Sequence, residues 1–131
     1  NSLNGFELTA DSVLSDSTGK FNVQHGIQAG SDNLVRGNRL ENNLNSGIRA
    51  TQHHNRIENN YSTFNNIGLS AAGTNNFITG NTCAANASVN YNVVAGNICE
   101  VIQAVKNAAL INGSSGGTAP GSSNPWINFA Y

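Results

Sequence analysis

The chain has 131 residues, enough for a single domain, and carries a formal net charge of −1 with only 10% of its residues ionisable. That balance excludes a nucleic-acid binder working through a basic stripe, and it offers neither an acidic tail nor a charged membrane-surface segment. No apolar run approaches the roughly 20 residues of a spanning helix, so no membrane insertion is expected.

Residues 1–25 read as a degenerate first coil. Gly5-Phe6 begins a series continued by Gly26-Ile27, Gly47-Ile48 and Gly68-Leu69 at intervals of 21 residues. A period of this length marks stacked repeats. Ser12, Leu14, Ser17 and Asn22 stand one period before Asn33, Val35, Asn38 and Asn43, so serines replace some of the asparagines here. Nothing resembling a cap precedes this coil, whose strand edges would otherwise be open. The chain is therefore expected to be the C-terminal portion of a longer protein, or to be covered at that end by another copy. It starts at Asn1 and contains no Met, as expected of a product that has lost a signal peptide.

Residues 26–99 are the regular coils. Each unit repeats Asn, apolar two residues on, then Asn at five-residue steps: Asn33, Val35, Asn38, Asn43; Asn55, Ile57, Asn60, Asn65; Asn76, Ile78, Asn81, Asn86. Short strands bending at each Asn fit this pattern, because Asn accepts left-handed backbone angles and its amide can satisfy groups freed by the bend. Stacked amides would form hydrogen-bonded ladders, with Asn38, Asn60, Asn81 and Asn97 in one column and Asn43, Asn65 and Asn86 in another. The strict apolar positions argue against a disordered Asn-rich segment. Three inward columns are expected: Phe6–Ile27–Ile48–Leu69, Leu14–Val35–Ile57–Ile78 and Leu8–Ala29–Ala50–Ala71. Each buried large aliphatic side chain contributes roughly 1.5–3 kcal/mol to one continuous core. One extra residue between Gly47 and Asn55, around His53-His54, predicts a longer bend.

ITGNTC at 78–83 matches VAGNIC at 94–99, predicting a shortened last coil with Cys99 over Cys83 in the column of Leu40 and Ser62. Adjacent strands lie about 4.8 Å apart, within the Cα range of a disulfide. The two cysteines either pair or remain buried thiols behaving as small apolar residues. Residues 100–131 leave the repeat. VIQAVKNAALI (101–111) has mixed periodicity and fits a strand pair or a short helix, with strands favoured, and NGSSGGTAPGSSNP (112–125) reads as a loop. Trp126, Phe129 and Tyr131 are expected to fold over the last coil as an aromatic cap. Of the sequons at Asn60, Asn86 and Asn112, only the last falls in an expected loop.

The pattern G-I-x-x-x-x-S-x-N-x-[IV]-x-x-N-x-x-x-x-N over residues 5–99 resembles the repeat of right-handed parallel β-helix proteins of the NosD-like and pectate lyase-like, carbohydrate-binding and sugar-hydrolase group. The ending PWINFAY resembles those of secreted bacterial β-helix proteins. The resemblance implies an all-β, right-handed, single-stranded parallel β-helix over 1–131, with about five coils of ~21 residues and a C-terminal cap. It also implies an extracellular, cell-surface or periplasmic location. The domain divides as a degenerate coil (1–25), regular coils (26–99) and cap with tail (100–131).

HGIQAGS (25–31) partly resembles the Gly-His-Gly-Ile-x-x-Gly-Ser segment of polygalacturonases, but Gln24 replaces the first Gly, and the paired aspartates and the Arg-Ile-Lys triplet have no counterpart. Arg36, Arg39, Arg49 and Arg56 face outward and could meet an anionic sugar, although Glu58 falls beside Arg36. Asp11, Asp32 and His53 or His54 stack along one edge, where a His with an Asp could bind zinc or copper, but neighbouring strand residues point opposite ways, so only one histidine should reach Asp32; no metal and no cofactor are expected. Arg56 and Phe77 share one outward column and Arg39 and Tyr61 another, a mixture suited to sugar stacking and hydroxyl recognition. Two functions are expected. The first is a non-catalytic structural or assembly module that associates with itself. The alternative is a domain that binds or degrades an extracellular polysaccharide through Arg36, Arg39, Arg56, Tyr61 and Phe77. No catalytic residue is assigned.

Overall fold

The computed structural model describes residues 3–104, 111–113 and 126–131. It is all-β: short strands joined by two- to six-residue corners wind into a parallel β-solenoid of four complete coils. Coil 1 holds β1 (Phe6–Ala10), β2 (Val13–Ser15) and β3 (Thr18–Lys20); coil 2 holds β4 (Ile27–Ser31), β5 (Leu34–Arg36) and β6 (Arg39–Glu41). Coil 3 holds β7 (Ser46–Ala50), β8 (Arg56–Glu58) and β9 (Tyr61–Thr63); coil 4 holds β10 (Ile67–Ala71), β11 (Phe77–Thr79) and β12 (Thr82–Ala84). A fifth coil begins with β13 (Val89–Val93) and β14 (Ile98–Cys99). Then come β15 (Ile102–Ala104), β16 (Ile111–Gly113) and β17 (Asn128–Ala130). The expected strand reading of 101–111 thus holds at both ends, while Asn112 and Gly113, expected to open the loop at 112–125, belong to β16; 105–110 and 114–125 lie outside the described residues.

Like strands stack into three parallel sheets. The first runs β1-β4-β7-β10-β13-β16, the second β14-β11-β8-β5-β2, and the third β15-β17-β12-β9-β6-β3. The three apolar columns are in register as expected: Phe6, Ile27, Ile48 and Leu69 pair in sequence, as do Leu14, Val35, Ile57 and Ile78, and Leu8, Ala29, Ala50 and Ala71. From coil 2 onward these side chains are fully buried, while Phe6, Leu8 and Leu14 are only partly so. The Gly column ahead of them has a steric cause. A Cβ at Gly68 would stand 2.4 Å from the Asn90 carbonyl oxygen and 2.7 Å from the Asn86 amide nitrogen.

Asparagine ladders hold all three corners. Asn60 illustrates the rung. Its Oδ1 accepts from the backbone N–H and the amide of Asn38, both at 3.0 Å, and its amide donates to Val35 O and to Asn81 Oδ1. Every side-chain donor and acceptor site of Asn60 is therefore used within the stack. Parallel chains of the same bonds run Asn33–Asn55–Asn76–Asn97 and Asn22–Asn43–Asn65–Asn86, the latter ending on Asn90. In coil 1, Ser12 and Ser17 give only their backbone N–H to the ladder, and their hydroxyls turn back to Ala10 and Ser15 carbonyls.

Two expectations are corrected. Asn97 does not follow Asn81. It sits above Asn76, and Ile98 and Cys99 pair with Phe77 and Ile78, so the fifth coil keeps its full length through the first two sheets. Cys99 therefore lies in the column of Ile78, Cys83 pairs instead with Ala130, and both thiols are free. The misreading has a physical source. Gly80 and Gly96 both take left-handed angles (φ 63° and 88°) immediately before a ladder Asn, but at different corners. Gly-Asn is the same local solution to two bends, so the hexapeptide match could not tell which corner it marked.

The second correction concerns the tail. β17 inserts as a strand between β12 and β15, and Asn128 supplies the rung above Asn81. Ile127, Asn128 and Ala130 point inward; Trp126, Phe129 and Tyr131, expected as a cap, face outward. The register is fixed by bonds from Phe129 N to Asn81 O and from Tyr131 N to Cys83 O. Tyr91 lies in the column above Leu69, with its hydroxyl 2.8 Å from the carbonyl oxygens of both Asn81 and Phe129. It ties the inserted strand to the core.

Candidate functional site

The outward face of the second sheet carries the most varied chemistry. Register places Phe77 beside Arg56, and Arg56 beside Leu34, as the sequence pattern implies. The Arg56 guanidinium lies 4.9 Å from the Phe77 ring centroid, within range of a cation–π contact. Its Nε also donates to Glu58 in the same strand. Here the inserted tail adds a residue that sequence reasoning missed. Trp126 is 62% exposed, and its carbonyl accepts from Gly80 N and Thr79 Oγ1. Arg56, Glu58, Phe77, Thr79, Glu100 and Trp126 thus line one surface groove. The signal was present in the sequence: Asn128, one residue, then a small inward Ala130 reproduces Asn81, one residue, then Cys83. It was obscured because the aromatics between suggested a cap.

The remaining arginine sites lie elsewhere. Arg39 and Tyr61 pair in register on the third sheet, with the guanidinium 5.8 Å from the ring. Burial and the neighbouring Tyr131 push the Tyr61 hydroxyl above its usual range of ionisation. Arg39 is also held by Glu41, as is Lys20 at 2.7 Å, and chiefly the Lys20 bond keeps the Glu41 carboxyl below the ordinary carboxylate range. Arg36 pairs in register with Glu58. Arg36, Arg39, Arg56, Tyr61 and Phe77 therefore form two places, Arg56 with Phe77 and Arg39 with Tyr61, and Arg36 neighbours the first.

The long corner behaves differently from the expectation that one histidine alone would approach Asp32. His54 has φ 58°, which breaks the strand alternation, and the His53 and His54 ring centroids come within 4.7 Å. The donor atoms of Asp32, His53 and His54 all lie within 4.8 Å of one another. His25, the third histidine, is buried well away from this chemistry. Its Nδ1 accepts from Ser46 N, and burial, then Arg49, lowers its pKa.

No protein-family model matches the chain, and no characterised protein or solved structure is significantly similar to it.

Proposed function

We infer that the chain is a non-catalytic structural module of a secreted or cell-surface protein, a stiff solenoid that associates with further copies of itself. The observation that carries this reading is an apolar patch at the third corner of the first two coils. Phe21, Val23 and Leu44 are 62%, 48% and 73% exposed and border one depression with Asn22 and Asn42. Phe64, 62% exposed, occupies the equivalent corner of the next coil. Clustered exposed apolar side chains of this kind mark contact surfaces. The ladders support the scaffold role, since Asn side chains are committed to the stack and not to solvent. Kinship to NosD-like or pectate lyase-like β-helices, and the extracellular placement, rest on the repeat pattern. Sedimentation velocity from micromolar to near-millimolar chain tests the reading. Reversible growth in mass that Leu44→Lys abolishes supports it; a monomer at every concentration overturns it.

A second reading is favoured by the groove at Arg56, Phe77 and Trp126. An exposed Trp126 and a half-buried Phe77, flanked by a guanidinium and carboxylates, suit the faces and hydroxyls of a sugar chain. Under this reading the partner is an extracellular polysaccharide. Binding on a polysaccharide array that Trp126→Ala removes supports it, and no binding to any glycan rejects it.

A further inference from the structure

We propose that Asp32, His53 and His54 form a binding site for a divalent late-first-row cation of the zinc class. The site follows from corner geometry. The bend between β7 and β8 runs over five residues (51–55) where that between β4 and β5 has two (32–33), and His54 turns back through a left-handed φ of 58°. Both imidazoles then project to the same side as Asp32 of the coil below. The His54 Nδ1 lies 3.4 Å from Asp32 Oδ1.

The corner is anchored on both sides. Asp32 N–H donates to His53 O at 3.1 Å, and Thr51 donates to Ala29 O through both its backbone and its hydroxyl. Asn55, next in chain, is buried in the first ladder and bonded to Asn76 and Gly30. The ligands thus stand on a fixed backbone, while their side chains are exposed and free to adjust.

Two imidazole nitrogens and one carboxylate oxygen are the donor types of open zinc sites, which complete their shell with water. A cation about 2.1 Å from each donor needs tetrahedral donors roughly 3.4 Å apart. Donors within 4.8 Å reach that spacing by shifts of about an ångström, which exposed rotamers allow. A lone carboxylate cannot satisfy the all-oxygen shells of calcium or magnesium, so those ions are disfavoured. Nor does the fold demand histidine here. The bend of equal length one coil later carries Thr74 and Asn75 at the corresponding places, and Asn75 takes the same backbone angle (φ 56°).

The test is titration of the tag-free chain with ZnCl₂ by calorimetry and by competition with a chromophoric chelator, with MgCl₂ as control. The expected result is one Zn²⁺ per chain, with no magnesium binding. His53→Ala and His54→Ala each weaken it by about 10- to 100-fold and Asp32→Asn by several-fold, with unchanged circular dichroism. The imidazole NMR signals of His53 and His54 move on Zn²⁺ addition while those of His25 stay fixed. Absence of binding at millimolar Zn²⁺, equal binding by the His53→Ala/His54→Ala double variant, or a response confined to His25 overturns the proposal.

Discussion

At the scale of single residues, the ladder asparagines do what no other side chain can. Each offers two N–H donors and a two-lone-pair oxygen on a short arm, and mid-stack rungs such as Asn60 use all of them. Replacing Asn60 by Ala strands the backbone and amide N–H groups of Asn38, and takes one donor each from Val35 O and Asn81 Oδ1, all in the interior. Leaving such groups unpaired costs about 3 kcal/mol in sum, measurable as a shift of the urea midpoint. Asn60→Asp should be worse, because a carboxylate cannot donate to Val35 O and brings charge into the core. The cysteines give a pH signature. Burial pushes the Cys83 thiol from an ordinary value of 9.0 up to about 12, and burial aided by Glu100 does the same to Cys99. An unfolded thiol ionises near 9 and a folded one does not, so proton loss favours the unfolded chain as pH rises from 9 towards 12. Stability should fall in that window, by up to about 1.4 kcal/mol per pH unit from Cys83 alone. Denaturation at pH 8 and 10 checks this, and Cys83→Ala should flatten the slope. Neither thiol should react with iodoacetamide at pH 7.5 until the chain unfolds.

At the scale of elements, the inserted strand β17 is the feature that the repeat alone could not announce. It separates β12 from β15, so the third sheet continues past coil 4 only through residues far along the chain. Asn128 is its anchor: its oxygen accepts from Asn81 N and Nδ2, and its amide donates to Glu100 O and Ile78 O. Asn128→Ala should therefore cost about 2–3 kcal/mol and admit proteases at 102–104 before global unfolding. Trp126→Ala, at an exposed side chain, should change stability by about 0.5 kcal/mol or less. A cap would give the opposite ranking, so urea denaturation of the two variants separates the cases. The coils themselves were legible because Ile27, Ile48 and Leu69 repeat at a period that only stacking explains, and the Arg56–Phe77 and Arg39–Tyr61 columns follow from that register. The groove was not, since Trp126 reaches it through a long-range pairing. The clustering of His53 and His54 was not either, because strand alternation fails where a backbone turns left-handed.

At the scale of the whole molecule, a solenoid is nearly one-dimensional: each coil is stabilised by its neighbours, and the terms sum along the axis. Local stability should then vary along the stack in proportion to what covers each coil. The column of Phe6, Ile27, Ile48, Leu69 and Tyr91 makes this concrete, for Phe6 is half-buried and the other four are fully enclosed. The same holds for Leu14 below Val35 and Leu8 below Ala29. Coil 1 also lacks two ladder amides, with Ser12 and Ser17 in their places. Its outer rungs thus have less burial and fewer bonds at once, and both deficits lower the free energy needed to open it without opening coil 2. Native-state hydrogen exchange is the measurement. Amides of Phe6–Ala10 should exchange through local opening at least 100-fold faster than those of Ile48–Ala50, a gap of roughly 2.8 kcal/mol at 1.4 kcal/mol per decade. If association covers this end, raising the chain concentration should close the gap. If association runs through the Phe21, Val23 and Leu44 corner, the gap should persist while the mass grows. Equal protection in coils 1 and 3 of a monomer would mean that the stack opens as one unit and that nearest-neighbour summation fails for coils this short.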